Sequence, residues 1–287
     1  GAPIGSWSSG GNLNTGRKDA AGFGEGHTAA IAAGGYSGGG ATGAQVESYN
    51  GTAWSETTEM TTQRGWTCSG AGTTAAGLIF AGQPLPPAGG QLTATEEWGG
   101  SSWTNGGNLN QGRSMVGGAG TQTAGLCYGG LTPSKTVNTE EYDGSSWTEV
   151  NNLPTASAAV ASSRGSAQTN AFSAGSTPVT TSVYLYDGTN WTAGPSLNTA
   201  RGNAGGAGTS SLGLVTGGPG AIAKTEGFDG TSWTEVADLA TGRTAMGTGG
   251  TSSTNALLFG GENPPGYLTA TEEWAAADIQ VKTLTTS

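Results

Sequence analysis

Five of the chain's six arginines stand at one place in a repeating frame. Ten residues after Trp7, Trp54, Trp103, Trp147, Trp191 and Trp233 come Arg17, Arg64, Arg113, Ser157, Arg201 and Arg243. Glutamates keep a second frame. Glu47, Glu96, Glu140, Glu226 and Glu272 each precede an aromatic by two residues, and Tyr184 takes that place in the fourth repeat. The repeat that lost its arginine is the one that lost its glutamate. A planar guanidinium grips a carboxylate or a phosphate through two parallel hydrogen bonds. Two readings stay open. In one, each Glu neutralises the Arg of its own repeat, as a dry site demands because an unpaired buried charge is costly. In the other, the arginines ring the mouth of a channel and bind an anion there. The sixth arginine, Arg164, falls in a turn of the repeat whose frame position is Ser157.

Catalytic chemistry finds little to work with. His27 is the one histidine, at an inter-strand turn where exposure is expected. One imidazole cannot build a His-based metal cluster, and it leaves a Ser-His-Asp triad a single candidate base. The pairs Glu96-Glu97, Glu140-Glu141 and Glu272-Glu273 are neighbours in strands, so their side chains point to opposite faces and cannot flank one glycosidic bond. Glycine-rich strings have no Lys-Ser/Thr after them. Cys68 and Cys127 belong to no metal-type cluster and read as small buried residues of strands. No catalytic residue, metal or cofactor is assigned.

A repeating fold must position these residues. The tryptophans recur at intervals of 47, 49, 44, 44 and 42 residues. Five residues before each one from Trp54 onward stands an aromatic: Tyr49, Trp98, Tyr142, Tyr186 or Phe228. A pair such as Asn50-Gly51 or Asp143-Gly144 lies between. These pairs tolerate positive φ at both positions and predict a two-residue hairpin. Upstream runs an apolar strand closing on small residues, from "AIAAGG" at 30–35 to "LLFGG" at 257–261. Before that comes a small-residue strand such as "VGGAG" at 116–120. Six such four-stranded units predict an all-β, six-bladed β-propeller. The first Trp strand has no aromatic partner before it, and the last unit, "TEEW" at 271–274, has no Trp strand after it. The N-terminal strand therefore completes the last blade and removes exposed edges. The propeller is expected over 1–274, with 275–287 as a tail or extra edge strand.

Composition excludes several classes. The net charge of −10 opposes nucleic-acid binding and adhesion to anionic membranes. No apolar run is long enough to insert in a bilayer, and "GAPIGSWSSGG" lacks the features of a signal peptide. The 55 glycines come with nine tryptophans and few charges, which argues against a disordered chain.

The double glycine, the aromatic and the tryptophan resemble the Kelch repeat over nearly the whole chain, with a shorter turn between aromatic and tryptophan than typical Kelch units carry. Some Kelch propellers are copper oxidases that use several His ligands. This chain lacks those histidines, so that activity does not carry over. Low charge and near-identical short repeats also resemble Kelch-type repeats of structural and tail proteins of marine bacteriophages. That resemblance implies a non-enzymatic module at an extracellular or virion surface. Its expected partners are a host surface glycan or protein, or neighbouring virion proteins. A secreted or cell-surface bacterial adhesion module, or a carbohydrate-active propeller enzyme, are the alternatives. The variable loops between second and third strands, with Tyr36 and Tyr267 on two of them, are expected on the arginine face, where function commonly sits.

Overall fold

The computed structural model describes residues 1–38, 43–85, 89–164 and 167–277. Among these there is no helix. Six four-stranded antiparallel sheets stand around an axis. Blade 1 holds β2 (Ala21–Gly26), β3 (Ala29–Ala33), β4 (Val46–Tyr49) and β5 (Trp54–Thr57). Blade 2 holds β6 (Ser69–Gly72), β7 (Gly77–Phe80), β8 (Thr95–Trp98) and β9 (Trp103–Asn105). Blade 3 holds β10 (Gly117–Thr121), β11 (Ala124–Tyr128), β12 (Thr139–Tyr142) and β13 (Trp147–Val150). Blade 4 holds β14 (Ala161–Ser162), β15 (Ala171–Ala174), β16 (Val183–Tyr186) and β17 (Trp191–Ala193). Blade 5 holds β18 (Gly205–Gly208), β19 (Gly213–Thr216), β20 (Thr225–Phe228) and β21 (Trp233–Val236). Blade 6 holds β22 (Gly247–Ser252), β23 (Asn255–Phe259), β26 (Thr271–Ala276) and, on its outer edge, β1 (Gly5–Ser9). A small hairpin, β24 (Glu262–Asn263) with β25 (Gly266–Tyr267), stands on the loop of blade 6.

The ring closes as expected. Trp7 sits opposite Trp274, the same register that puts Tyr142 opposite Trp147. β26 runs two residues past 274, and the Ala277 N–H donates to the Ile4 carbonyl at 2.7 Å. The start of the expected tail therefore belongs to blade 6, and the rest of it lies outside the described residues.

Glycine lets the blades approach. A Cβ on Gly22, on the innermost strand of blade 1, would lie 2.1 Å from the Thr248 carbonyl of blade 6. The double glycine has a separate task. At Gly34-Gly35 both residues have positive φ, and the Gly35 N–H donates to the Arg64 carbonyl of the next blade at 2.9 Å. The same bond recurs at all six interfaces, ending with Gly261 to Arg17 at 2.8 Å.

The hairpin between third and fourth strands differs from the two-residue expectation. Tyr49 pairs directly with Trp54, so four residues, 50–53, make the connection. Only the glycine adopts positive φ (Gly51, 89°; Gly144, 92°). The residue before it is not among the positive-φ residues, and its side chain caps the loop: Asn50 Oδ1 accepts the N–H groups of Thr52 and Ala53, and Asp143 Oδ1 those of Ser145 and Ser146. Those bonds hold the Asp143 carboxyl down at about 2.

The core lies between blades. Leu78 and Phe80 of blade 2 pack with Cys127, Tyr142 and Trp147 of blade 3. Polar links thread these apolar interfaces. The indole N–H of Trp54, Trp147, Trp191 and Trp7 donates to Thr271, Thr95, Thr139 and Thr225, on the third strand of the preceding blade. Where that threonine is valine, Val46 or Val183, the indole of Trp103 or Trp233 bonds a carbonyl instead, Thr58 or Pro195. A second link joins the hairpin tyrosine to a glutamate of the preceding blade: Tyr142 to Glu97 at 2.6 Å, Tyr186 to Glu141 at 2.8 Å, and Tyr49 to Glu273. Where the aromatic is Trp98, Phe228 or Trp274, the partner position holds Ser48, Leu185 or Gly227. Hydroxyl and carboxylate are present together or absent together. The 1–2 and 4–5 interfaces, at opposite ends of one diameter, lack both links.

Both cysteines are free and buried, Cys127 within β11 and Cys68 one residue before β6. Burial raises both thiols above their ordinary range, Cys127 to about 12. His27 is half-buried rather than exposed, because its turn packs on Asn255, whose Oδ1 accepts the His27 backbone N–H at 2.8 Å.

Candidate functional site

Each framed arginine forms a latch with the framed glutamate of its own blade. The pairs are Arg17–Glu47, Arg64–Glu96 (3.4 Å), Arg113–Glu140, Arg201–Glu226 (2.9 Å) and Arg243–Glu272 (2.6 Å). None of these arginines is more than 1% exposed. Nη1 of each donates to two carbonyls at the two stems of the variable loop, as Arg113 does to Gly129 (3.2 Å) and Asn138 (2.6 Å). The glutamate also accepts backbone N–H groups from the strand-to-blade connector, Asn110 for Glu140 and Asn198 for Glu226, at 2.8 and 2.7 Å. One latch thus ties connector, loop stems and third strand together. Burial draws the guanidinium groups of Arg17, Arg64 and Arg243 below their ordinary value, and the partner carboxylate opposes it. An anion could reach these five arginines only by displacing a carboxylate, so the ligand ring expected at the channel mouth has no open surface.

A different set lines that mouth. Two residues after each arginine of blades 1, 3, 5 and 6 comes a residue with positive φ: Asp19, Met115, Asn203 and Ala245. Ala159 stands likewise after Ser157, and Thr67 three residues after Arg64. Their backbones form a chain around the axis. Asp19 N–H donates to Ala245 O, Ala245 to Asn203, Asn203 to Ala159, Ala159 to Met115 and Met115 to Thr67, at 2.7 to 2.9 Å. Among the described residues the sixth link, Thr67 to Asp19, is missing. Blade 2 carries one extra residue there, Gly65, and the next residue, Trp66, is turned outward and 41% exposed.

Trp66 borders a bowl of about 220 Å³ with Lys18, Thr244 and Glu262, floored by Asp19, Met115, Asn203 and Ala245. Lys18 Nζ bonds Glu262 Oε2 at 2.7 Å and lies 5.4 Å from the centre of the Tyr267 ring. Tyr267 meets Tyr36 edge-on, ring centres 5.5 Å apart. The structure therefore brings Tyr36 and Tyr267 together, half-buried against one another rather than standing free as sugar platforms. Burial lowers the Lys18 ammonium, but the bond to Glu262 and the charges of Asp19 and Glu262 outweigh it and hold the group above its ordinary value. Burial lifts the Asp19 carboxyl to about 6, against Lys18 and with Glu262.

The frame missed Trp66 because Gly65, the extra residue before it, shifts it off the count, although it bridges Gln83 as Lys18 bridges Tyr36. One signal could have found it: the spacing from arginine to the glycine late in the first strand (Gly24, Gly72, Gly120, Gly208 or Gly250) is seven residues in blades 1, 3, 5 and 6 and eight in blade 2. No group of three His, Cys, Asp or Glu side chains able to hold a metal occurs among the described residues. None of the helices is long and apolar enough to cross a membrane, there being none in the described residues.

No protein-family model and no curated protein matches the chain. Among solved structures it is similar to that titled "Structure of YjhT", with a TM-score of 0.77 and 12% sequence identity over 94% of this chain and 97% of that one. At that identity the likeness speaks for the propeller fold alone.

Proposed function

We propose that this six-bladed ring is a Kelch-type, non-enzymatic binding module of a phage virion or tail-associated surface, and that it recognises a host surface glycan at the bowl on its arginine-latch face. The observation that carries the reading is Trp66, a large indole turned to solvent beside an ion pair and two amide- or hydroxyl-bearing side chains. An apolar plate with a few convergent polar groups is the usual make-up of a ligand pocket. The bowl, at about 220 Å³, is smaller than the roughly 300–1,000 Å³ clefts that enclose drug-sized ligands. It suits the terminal residue of a chain better than a whole enclosed molecule. The latches supply what such a site needs, since loops presented to a ligand must start from rigid stems.

A glycan array and a host-cell binding assay with wild type and Trp66→Ala test this reading. We expect the variant to lose at least tenfold in binding at an unchanged melting temperature. Equal binding by both proteins, or no glycan or cell binding by wild type, would discard it in favour of an architectural role against neighbouring virion proteins.

A further inference from the structure

Five of the six innermost strands carry a glycine at or within two residues of their end: Gly24, Gly72, Gly120, Gly208 and Gly250, with φ between 98° and 134°. A Cβ at each would lie 2.1 to 2.6 Å from a carbonyl oxygen of the adjoining turn. In blade 4 this position is Arg164. Ala161 and Ser162 pair with Ala174 and Ser173 as Gly117 and Gly118 pair with Tyr128 and Cys127, which aligns Arg164 with Gly120. The stretch from Arg164 to Ala171 is two residues longer than that from Gly120 to Gly125.

That side chain lines a chamber on the axis, walled by one apolar residue from each blade: Ala20, Cys68, Val116, Val160, Ala204 and Met246. Its guanidinium makes no hydrogen bond or ion pair with any described residue, and Nη1 is buried without a partner. Asp19 lines the same chamber and forms no ion pair with it. Every other arginine of the chain has its carboxylate. Water can satisfy the N–H groups of a buried guanidinium, but it does not cancel the charge. The chamber measures about 40 Å³, against the roughly 10–15 Å³ that one water needs. It holds two or three water-sized particles and excludes a sugar ring.

We infer that this chamber binds a small monovalent anion of halide size on Arg164, reached through the mouth bowl, with which it shares Asp19, Met115, Asn203 and Ala245. Beside the apolar residues, Thr67, Asn203 and Asp19 also line the chamber, too few groups to replace a full hydration shell, so weakly hydrated bromide and iodide should bind ahead of fluoride. The test uses bromide. Crystals of wild type soaked in sodium bromide should show an anomalous peak within hydrogen-bonding reach of Arg164. Replacing sodium gluconate by sodium bromide at constant ionic strength should raise the melting temperature. Arg164→Gln should lose both effects, and Asp19→Asn, which removes the nearby acid, should strengthen them. No bromide in the wild-type chamber overturns the inference, as does the same bromide response in Arg164→Gln. If that variant does not fold, the wild-type anomalous map decides alone. Glycan binding at Trp66 is read separately, so either proposal can fail without the other.

Discussion

Blades 3 and 4 are neighbours on one scaffold, yet they solve the same problem differently. Blade 3 closes its loop stems with the buried Arg113–Glu140 latch and carries Gly120 near the end of its inner strand. Blade 4 puts Ser157 and Tyr184 in the latch positions and Arg164 at the glycine position. Ser157 Oγ only turns back to the Thr155 carbonyl, and blade 4's stems keep just the backbone bond that blade 3 has beside its latch, Gly175 to Ser182 at 2.9 Å against Gly129 to Asn138 at 3.0 Å. The blade still pairs all four strands in the common register. A buried ion pair can therefore be lost as a unit at small cost to the fold, whereas half of one cannot. Removing both members also removes both desolvation costs, and blade 4 is the instance in which that happened.

The largest expected effect follows directly. Arg113→Ala strands the Glu140 carboxylate and should destabilise by about 3–5 kcal/mol, measured by urea unfolding. The double variant Arg113→Ser/Glu140→Tyr, which copies blade 4, should recover most of that loss. A double variant as unstable as the single one would break the comparison. The next effect lies between blades. Tyr142→Phe deletes a hydrogen bond to the Glu97 carboxylate and should cost about 1.5–3 kcal/mol. Phe228, which faces Leu185, shows that the phenyl ring alone fits there.

That clasp also has a sign with pH. Burial, then the bond to Glu97, raises the Tyr142 hydroxyl to about 12, and burial with Glu273 does the same for Tyr49. The folded state thus holds these protons more tightly than the unfolded chain, whose tyrosines titrate near ~10. The contribution is complete below pH ~10 and fades as pH rises toward about 12. The stability gap between wild type and Tyr142→Phe should narrow over that window in alkaline unfolding curves. The smallest effect is Thr95→Val, which copies Val46 and Val183. It should cost about 0.5–1.5 kcal/mol, because the Trp147 indole can turn to a carbonyl as Trp103 and Trp233 do. A loss far above that range in the thermal melt would mean the carbonyl is out of reach at this interface.

The legible part of the molecule is its periodic part. Trp and its paired aromatic recur in all six blades and Gly-Gly in four of them, with Ala81-Gly82 and Gly175-Ser176 in the others, because each blade makes the same bond to its neighbour. Turn chemistry was less legible: Asp143-Gly144 reads as a two-residue turn until the carboxylate is seen capping the loop. The Tyr142–Glu97 clasp was invisible to a comparison of like positions, since it joins position n of one repeat to a different position in the repeat before. Trp66 and Arg164 escaped for the opposite reason. Each is a single departure from the frame, an inserted residue before one and a displaced glycine at the other, and only geometry shows that Trp66 borders the mouth bowl and Arg164 the chamber that adjoins it.

The pairing of β1 with β26 sets an order on synthesis. Trp7 faces Trp274, 267 positions later by subtraction. At about 5–20 residues per second, β1 spends on the order of tens of seconds outside the ribosome without its neighbour. During that time "GSWSS" is a free strand with a tryptophan at its centre, and a second nascent copy offering its own last blade could capture it in trans. Polysome density and copy number then bear on whether rings close on themselves or link into chains.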